Sequence, residues 1–304
     1  MTATSTTPGG IEFLRTPDDR FANLEGFPYE PSYVEVEGLR MGYVDVGPSD
    51  GDIVLLLHGE PTWSYLYRRM IPPLTEAGYR CIAPDLVGFG RSDKPTDRSS
   101  YTYDNHVRWM TSFLDALDLP AVTLFAQDWG GLIGLRIVAY EPNRFSRVVI
   151  GNTGLPVGES LGPGFDGWLH MSQTMEVMDA GAMLQMATTA REITEGEMDG
   201  YRAPFPDESY MAGAREFPCL VPITPDHGGV AENIEAWNRL EGFDKPFLTL
   251  WCPGDRVLGT LGQEFIDRVA GAAGQPHQQF EPGGHFIQDD RGEGVAAAMI
   301  AWMA

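Results

Sequence analysis

Apolar residues along the chain fall into two kinds of run. Tyr33-Val34-Glu35-Val36 and Met41-Gly42-Tyr43-Val44-Asp45-Val46 alternate, with Glu37-Gly38 between them, which predicts an antiparallel hairpin at a sheet edge. After them come short, nearly unbroken apolar stretches: Ile53 to Leu57, Tyr79 to Ala83, Ala121 to Ala126, Val148 to Ile150 and Phe247 to Trp251. Such stretches suit parallel strands covered on both faces, and Gln278-Gln279-Phe280 is expected to be the last of them. Helical patterns lie between the strands, over about Ser64–Ala77, Asn105–Leu117 and Gly262–Ala270, and again after Asp128, where Leu132, Ile133, Leu135, Ile137 and Val138 make an apolar face. A helix over Gly294–Met303 closes the chain. Strands alternating with helices predict an α/β fold with a mostly parallel, doubly wound sheet and right-handed connections. Binding sites in such sheets lie beyond the carboxyl ends of the strands.

The alternation fails between Leu155 and Gly229. Gly158, Gly162, Pro163 and Gly164 come first, followed by a stretch rich in methionine at Met171, Met175, Met178, Met183 and Met186. This stretch is expected to form a helical cap inserted into one core, so that residues 1–154 and 230–304 make the core and 155–229 the cap. The methionines, each an ordinary core residue taken singly, would together suit an adaptable apolar wall. Upstream, a disordered tail is expected to about Gly10, then a loop with Pro17, Pro28 and Pro31 lying over the domain surface.

Composition narrows the class. A chain of 304 residues can bury roughly three quarters of its unfolded surface. With 21 basic and 43 acidic residues the net charge is −22, which argues against nucleic acid or an anionic membrane as partner. Cys81, Cys219 and Cys252 are odd in number and far apart, and read as buried hydrophobes in a reducing compartment. The stretch Met1–Gly10 lacks the basic start and apolar core of a signal peptide, and no apolar run reaches membrane-spanning length. The expectation is a cytoplasmic, soluble protein, a monomer, with no cofactor and no metal.

Three residues at strand ends carry the chemistry. Asp128 stands between an apolar strand and the Gly130-Gly131 pair that opens a helix, at the kind of sharp corner that lifts a nucleophile above a sheet. The plain alternative is a helix N-cap, a position that favours Asp. Asp255 follows the strand ending at Trp251, and His285 follows the last strand through Pro282-Gly283-Gly284. The order nucleophile, acid, histidine is that of α/β-hydrolase folds. Singly, Asp255 could cap a helix and His285 could be a surface residue; together at three strand ends they read as a triad.

Aspartate in the nucleophile's place points to a particular reaction. It is ionised at neutral pH and can attack a saturated carbon directly, leaving an alkyl ester. His285 would then draw a proton from water that cleaves this ester, and Asp255 would hold the imidazole in its tautomer. The backbone amides of Glu60 and Trp129 are expected to receive the oxyanion. A departing halide needs only N–H donors in a dry pocket, and an indole supplies one on an apolar body. Trp129 and Trp168 are the candidates, each with a core aromatic as the plain alternative.

The stretches Leu14-Arg15-Thr16-Pro17-Asp18-Asp19-Arg20-Phe21, His58-Gly59-Glu60-Pro61-Thr62-Trp63-Ser64-Tyr65-Leu66-Tyr67-Arg68, Gln127-Asp128-Trp129-Gly130-Gly131, Ala203-Pro204-Phe205-Pro206-Asp207 and Gly284-His285-Phe286 resemble the haloalkane dehalogenases nearly from end to end. The resemblance is closest to the subfamily whose halide site uses one tryptophan from the core and one from the cap. It implies an α/β-hydrolase that turns small haloalkanes into alcohol, halide and proton, a detoxification chemistry. In that family Asp128 would be the nucleophile, His285 the base, Asp255 the acid, Glu60 and Trp129 the oxyanion hole, and Trp129 with Trp168 the halide site. Phe165, Leu132, Val257 and Leu258 would line the substrate pocket. Some relatives carry the acid after the preceding strand, where this chain has Asn152.

Two other functions stay open. An epoxide hydrolase shares the Asp nucleophile followed by Trp but protonates its leaving oxygen with paired cap tyrosines, and Tyr201 and Tyr210 lie in the right region. A non-catalytic ligand-binding protein on the same fold would have no use for His285 in that place. A hydrolase of fluorinated acids would want an arginine near the nucleophile, and Arg136 lies too far along its helix. His58 is expected to order its loop, Asp85 and Arg91 to fix the glycine-rich loop, and His106, His170, His227 and His277 to lie on the surface.

Overall fold

The computed structural model describes residues 4–304. Ser5–Thr6 (β1), Glu12–Leu14 (β2), Ser32–Val36 (β3), Leu39–Val46 (β4) and Ile53–Leu57 (β5) come first, followed by helix α1 at Ile71–Glu76 and strands Arg80–Pro84 (β6) and Lys94–Pro95 (β7). Helix Tyr103–Leu117 (α2), strand Val122–Ala126 (β8), helix Trp129–Tyr140 (α3) and strand Phe145–Ile150 (β9) follow. Helices Pro163–Thr174 (α4), Ala180–Ala187 (α5), Glu195–Arg202 (α6) and Ala212–Glu216 (α7) then run without an intervening strand. Helix Val230–Leu240 (α8), strand Phe247–Trp251 (β10), helix Gly262–Arg268 (α9), strand Gln278–Gln279 (β11) and helix Ile287–Met303 (α10) complete the chain.

Eight strands form one sheet in the order β11-β10-β9-β8-β5-β6-β4-β3. The pairs from β11 to β6 are parallel, whereas β4 runs antiparallel to β6 and β3 to β4, so the hairpin occupies the edge. β5, β8 and β10 are buried along their whole length, as their unbroken apolar runs require. Helices α2, α3 and α8 pack in one row, and α1 packs against α10. Strand register positions the loops that leave the sheet: Leu57 pairs with Ala126, and Ala126 with Ile150, so three neighbouring strands end level and their next residues emerge side by side.

Four expectations differ from the structure. The helix expected over Ser64–Ala77 is a 3-10 helix at Ser64–Arg69 followed by the short α1, because Pro72 and Pro73 have no N–H to continue an α-helical ladder across Met70. The closing helix starts at Ile287, well before Gly294, and passes through non-helical Arg291. Gly292 beside that kink lies so close to the core that a Cβ there would stand 2.8 Å from the Arg69 Cβ. Part of the tail is ordered: β1 pairs with β2, which pairs with β7 in a separate small sheet, while Met1–Ala3 lie outside the described residues. The proline-bearing loop does cross the surface, held by Phe21 and Phe27, whose rings lie 5.3 and 5.2 Å from that of Trp63.

The histidines need the fourth correction. Only His170 is exposed, and His227 and His277 are partly buried and hydrogen-bonded to backbone groups. His106 is in the core, its ring 4.4 Å from that of Phe217 and 5.1 Å from that of Trp109. It shares the buried face of α2 with Tyr103, Met110 and Phe113, and burial pushes its imidazole down to about 3, so it is a neutral ring in a stack of aromatics.

Candidate active site

Asp128 follows β8 by two residues and precedes the first turn of α3. Its backbone has φ 51° and ψ −131°, a left-handed conformation that an L-residue adopts at a cost of about 1–3 kcal/mol. The strain is held in place from both sides, since the Asp128 N–H donates to the Asn152 carbonyl at 2.9 Å and the Thr153 hydroxyl donates to the Asp128 carbonyl at 2.7 Å. Asp128 stands at the N-cap position, yet its side chain makes no cap hydrogen bond. Instead Oδ1 accepts the Glu60 N–H at 2.8 Å, and Oδ2 lies 3.5 Å from the His285 Nε2. Gly59 makes room for this arrangement, because a Cβ there would stand 2.1 Å from Oδ1.

On the far side of the imidazole, the His285 Nδ1 donates to the Asp255 Oδ2 at 2.9 Å. Asp255 is buried, and the same oxygen accepts the Asn152 Nδ2–H at 3.0 Å while Oδ1 accepts the Val257 N–H at 2.8 Å. Burial opposes its ionisation, but the neighbouring His285 charge and these hydrogen bonds hold its carboxyl below the usual range. Burial alone would likewise push the His285 imidazole down. The Asp255 charge and then the Asp128 and Asp255 hydrogen bonds outweigh it and hold the ring up at about 10, so the resting imidazole is a cation between two carboxylates.

Asn152 supports Asp255. Its side chain donates to the Cys252 carbonyl and accepts the Cys252 N–H, both at 2.8 Å, which fixes the loop that carries Asp255. Gln127 does similar work for His285, its Nε2 donating to the His285 carbonyl at 3.1 Å. His58 spans the Glu60 loop and the glycine-rich loop, with Nδ1 2.9 Å from the Gly59 carbonyl and Nε2 accepting the Leu86 N–H at 2.9 Å. Asp85 accepts the Ser64 and Arg91 N–H groups, each at 2.8 Å, and so anchors that glycine-rich loop.

Asp128, Asp255 and His285 open onto a cavity of about 450 Å³ between the strand-end loops and helices α4 and α5. Glu60, Trp129 and Leu132 line it from the sheet side, Phe165 and Trp168 from α4, and Val257 and Leu258 from the loop after β10. Met171, Met183 and Met186 are on its wall, whereas Met175 and Met178 are not. The Trp129 ring is fixed by edge contacts with Tyr103 and Phe217 at 5.0 and 4.6 Å. Four of the seven indoles donate their N–H to the protein, but those of Trp129 and Trp168 find no acceptor among the described residues. The backbone N–H of Trp129, at the start of α3, is also without a protein acceptor there.

Other candidates stand elsewhere. No tyrosine lines the cavity among the described residues. Tyr201 is buried and donates to Asp289 while accepting an Arg68 N–H at 2.9 Å, and Tyr210 is buried away from the wall. Arg136 is engaged by Asn233, Asp104 and the Gly229 carbonyl. Sequence reasoning missed the side chain of Glu60: it is buried on the cavity wall, its Oε1 has no partner, and burial beside Asp128 pushes its carboxyl well above the ordinary range. A charged residue in a loop carried no signal of that burial.

Residues 52–206 match the family model of the alpha/beta hydrolase fold. Haloalkane dehalogenase from Psychrobacter cryohalolentis is 51% identical over 96% of this chain and 98% of its own length. The enzyme of that name from Mycobacterium marinum is 48% identical over 96% of this chain and its full length. Among solved structures, the tetrameric haloalkane dehalogenase DpaA from Paraglaciecola agarilytica NO2 superposes with a TM-score of 0.88 at 36% identity, covering 94% of this chain and 97% of that one. By these identities over almost its whole length, the chain belongs to the haloalkane dehalogenases of the α/β-hydrolase fold.

Proposed function

We propose that the protein hydrolyses small haloalkanes to alcohol, halide and proton through an ester on Asp128, with residues 155–229 acting as a cap over a core of 1–154 and 230–304. The observation that carries this reading is a strained, uncapped aspartate facing a cavity with two indole N–H groups unpartnered and no tyrosine among the described residues. Asp128 Oδ1 is engaged by the Glu60 amide, which leaves Oδ2 to attack carbon from the side opposite the halogen. The C–O bond forms as the C–halogen bond breaks, and the halide departs between the Trp129 and Trp168 N–H groups. Esterification removes the negative charge on Asp128 that helped hold the His285 proton, so the ring gives that proton up with the halide.

Neutral His285 then takes a proton from a water molecule as the water attacks the ester carbonyl carbon. Oδ1 becomes the oxyanion, and the Glu60 and Trp129 amides receive it. The imidazolium returns its proton to the departing alkoxide, and the remaining carboxyl proton restores the resting cation. One proton is released per turnover, and Asp255 stabilises each charged form of the ring.

An epoxide would leave as an alkoxide and need an acid at the cavity wall. Tyr201 and Tyr210 do not reach it, and this favours halide over epoxide. Halide release from a bromoalkane and ring opening of an epoxide of the same chain length, assayed side by side, test the reading. Bromide release well above epoxide opening is expected, and the reverse ratio overturns it. Inactivity on both would favour a binding protein. We further place the enzyme in the cytoplasm as a monomer, which a sedimentation mass of several chains would contradict.

A further inference from the structure

We propose that Asp290 is the residue that positions His285 for the second half-reaction, and that it does so by stitching the histidine loop to the helical segment above it. Asp290 lies in the first turn of α10, five residues after His285, and is buried. Its Oδ2 accepts the Gly284 N–H at 2.6 Å, directly before the base. Its Oδ1 accepts the Ala190 N–H at 2.6 Å, and both oxygens share the Thr189 N–H at 3.0 and 3.1 Å. No cation pairs with this carboxylate among the described residues, so three backbone N–H groups hold the charge, two from one side of the cavity and one from the other.

A further bond completes the stitch: the His285 N–H donates to the Ala187 carbonyl at 3.1 Å. The two segments lie so close that a Cβ on Gly284 would stand 2.1 Å from that carbonyl oxygen. Met186, Ala187 and Thr189 line the cavity on one side of the stitch, and Gly284, His285 and Phe286 on the other. The backbone bearing the base, held through its carbonyl by Gln127, is thus tied on its N–H side to the 187–190 segment, and Asp290 is the joint. Asp128 has its own supports in Glu60, Asn152 and Thr153, none of which passes through Asp290.

This separation divides the two chemical steps. Attack by Asp128 does not need a well-placed base, whereas ester hydrolysis does, and displacement of a catalytic group by about 1 Å can cost ~100-fold. The positioning role rests on the covalent reading of the reaction. Asp290→Asn keeps the shape but loses one acceptor oxygen and turns an amide N–H toward N–H donors. Rapid-quench measurement with a bromoalkane is expected to show ester formation within about twofold of the parent and ester hydrolysis slowed by about tenfold or more. A burst of one bromide per enzyme and an alkyl adduct on Asp128 should then appear.

Asp290→Ser, which keeps one shorter acceptor and introduces no amide N–H, carries the same expectation independently. Bromide quenching of tryptophan fluorescence reports whether each variant keeps its fold. Equal slowing of both steps in the folded variants, or no change in either, overturns the positioning role. Absence of any bromide release from the parent enzyme overturns the covalent reading instead.

Discussion

At the scale of single residues, Asp128 was legible because a strand-to-helix corner is written locally, in an apolar run followed by two glycines. Its N-cap alternative fails in the structure on a local fact, a side chain that turns away from the helix toward the Glu60 amide. The Glu60 side chain and His106 were not legible, because burial is a property of what packs around a residue. His106 did have a signal that went unused, its i, i+3, i+7 spacing with Tyr103 and Met110 on one helical face. Trp168 is the residue whose role is most open to test. It is half-buried on the cavity wall with its N–H free, and removing one N–H donor from a bound anion should weaken binding by roughly tenfold. Bromide titration of Trp168→Phe, followed through the remaining tryptophan fluorescence, should show that loss; an unchanged affinity would take Trp168 out of the halide site.

At the scale of elements, the strands of the large sheet could be read from the apolar runs, whereas their order in the sheet, the small sheet and the helix boundaries could not. Pro72-Pro73 broke one helix, and the kink at Arg291 allowed another to begin directly after His285. That early start matters, because it places Asp289 and Asp290 in the first turn of α10. Asp289 is the centre of a buried cluster: it accepts from Arg68 at 2.6 Å and also from Arg191 and Tyr201, while Glu197 pairs with Arg68 at 2.9 Å and Arg191 at 2.7 Å. Three of these partners, Arg191, Glu197 and Tyr201, come from the helical segment, so the cluster ties α6 to the 3-10 helix after β5 and to α10. Removing one member of a buried ion pair strands the other charges, which costs about 3–5 kcal/mol. Asp289→Ala should lose stability of that order in urea unfolding, and a loss below about 1 kcal/mol would show that the cluster does not hold the segment. The cluster also gives acid sensitivity. Burial opposes ionisation of Glu197, but its hydrogen bonds to Arg191 and Arg68 hold its carboxyl down at about 2 against an ordinary 4.5. Its contribution is therefore complete above pH 4.5 and is lost as pH falls toward 2.

At the scale of the whole molecule, composition spoke against classes of partner more readily than it pointed to a substrate. The net charge of −22 bears on what the surface repels, while the proposed triad is three residues, 127 and 30 positions apart along the chain, that the loops after β8, β10 and β11 bring to one cavity. Chain order alone suggested that meeting. Only the fold supplies the distances, 3.5 Å from His285 to Asp128 and 2.9 Å from His285 to Asp255. The cavity's volume and the loops that support the base depend on packing between distant segments, which no local pattern encodes.

The central claim is that Asp128 itself attacks carbon and that water later attacks Asp128. A single turnover of a bromoalkane with enzyme in excess, run in ¹⁸O-labelled water, tests it most directly. The account predicts unlabelled alcohol, carrying an oxygen from Asp128, and one ¹⁸O atom in the peptide that contains Asp128. Labelled alcohol with an unlabelled Asp128 peptide would mean that water attacks the substrate directly, and would contradict the account.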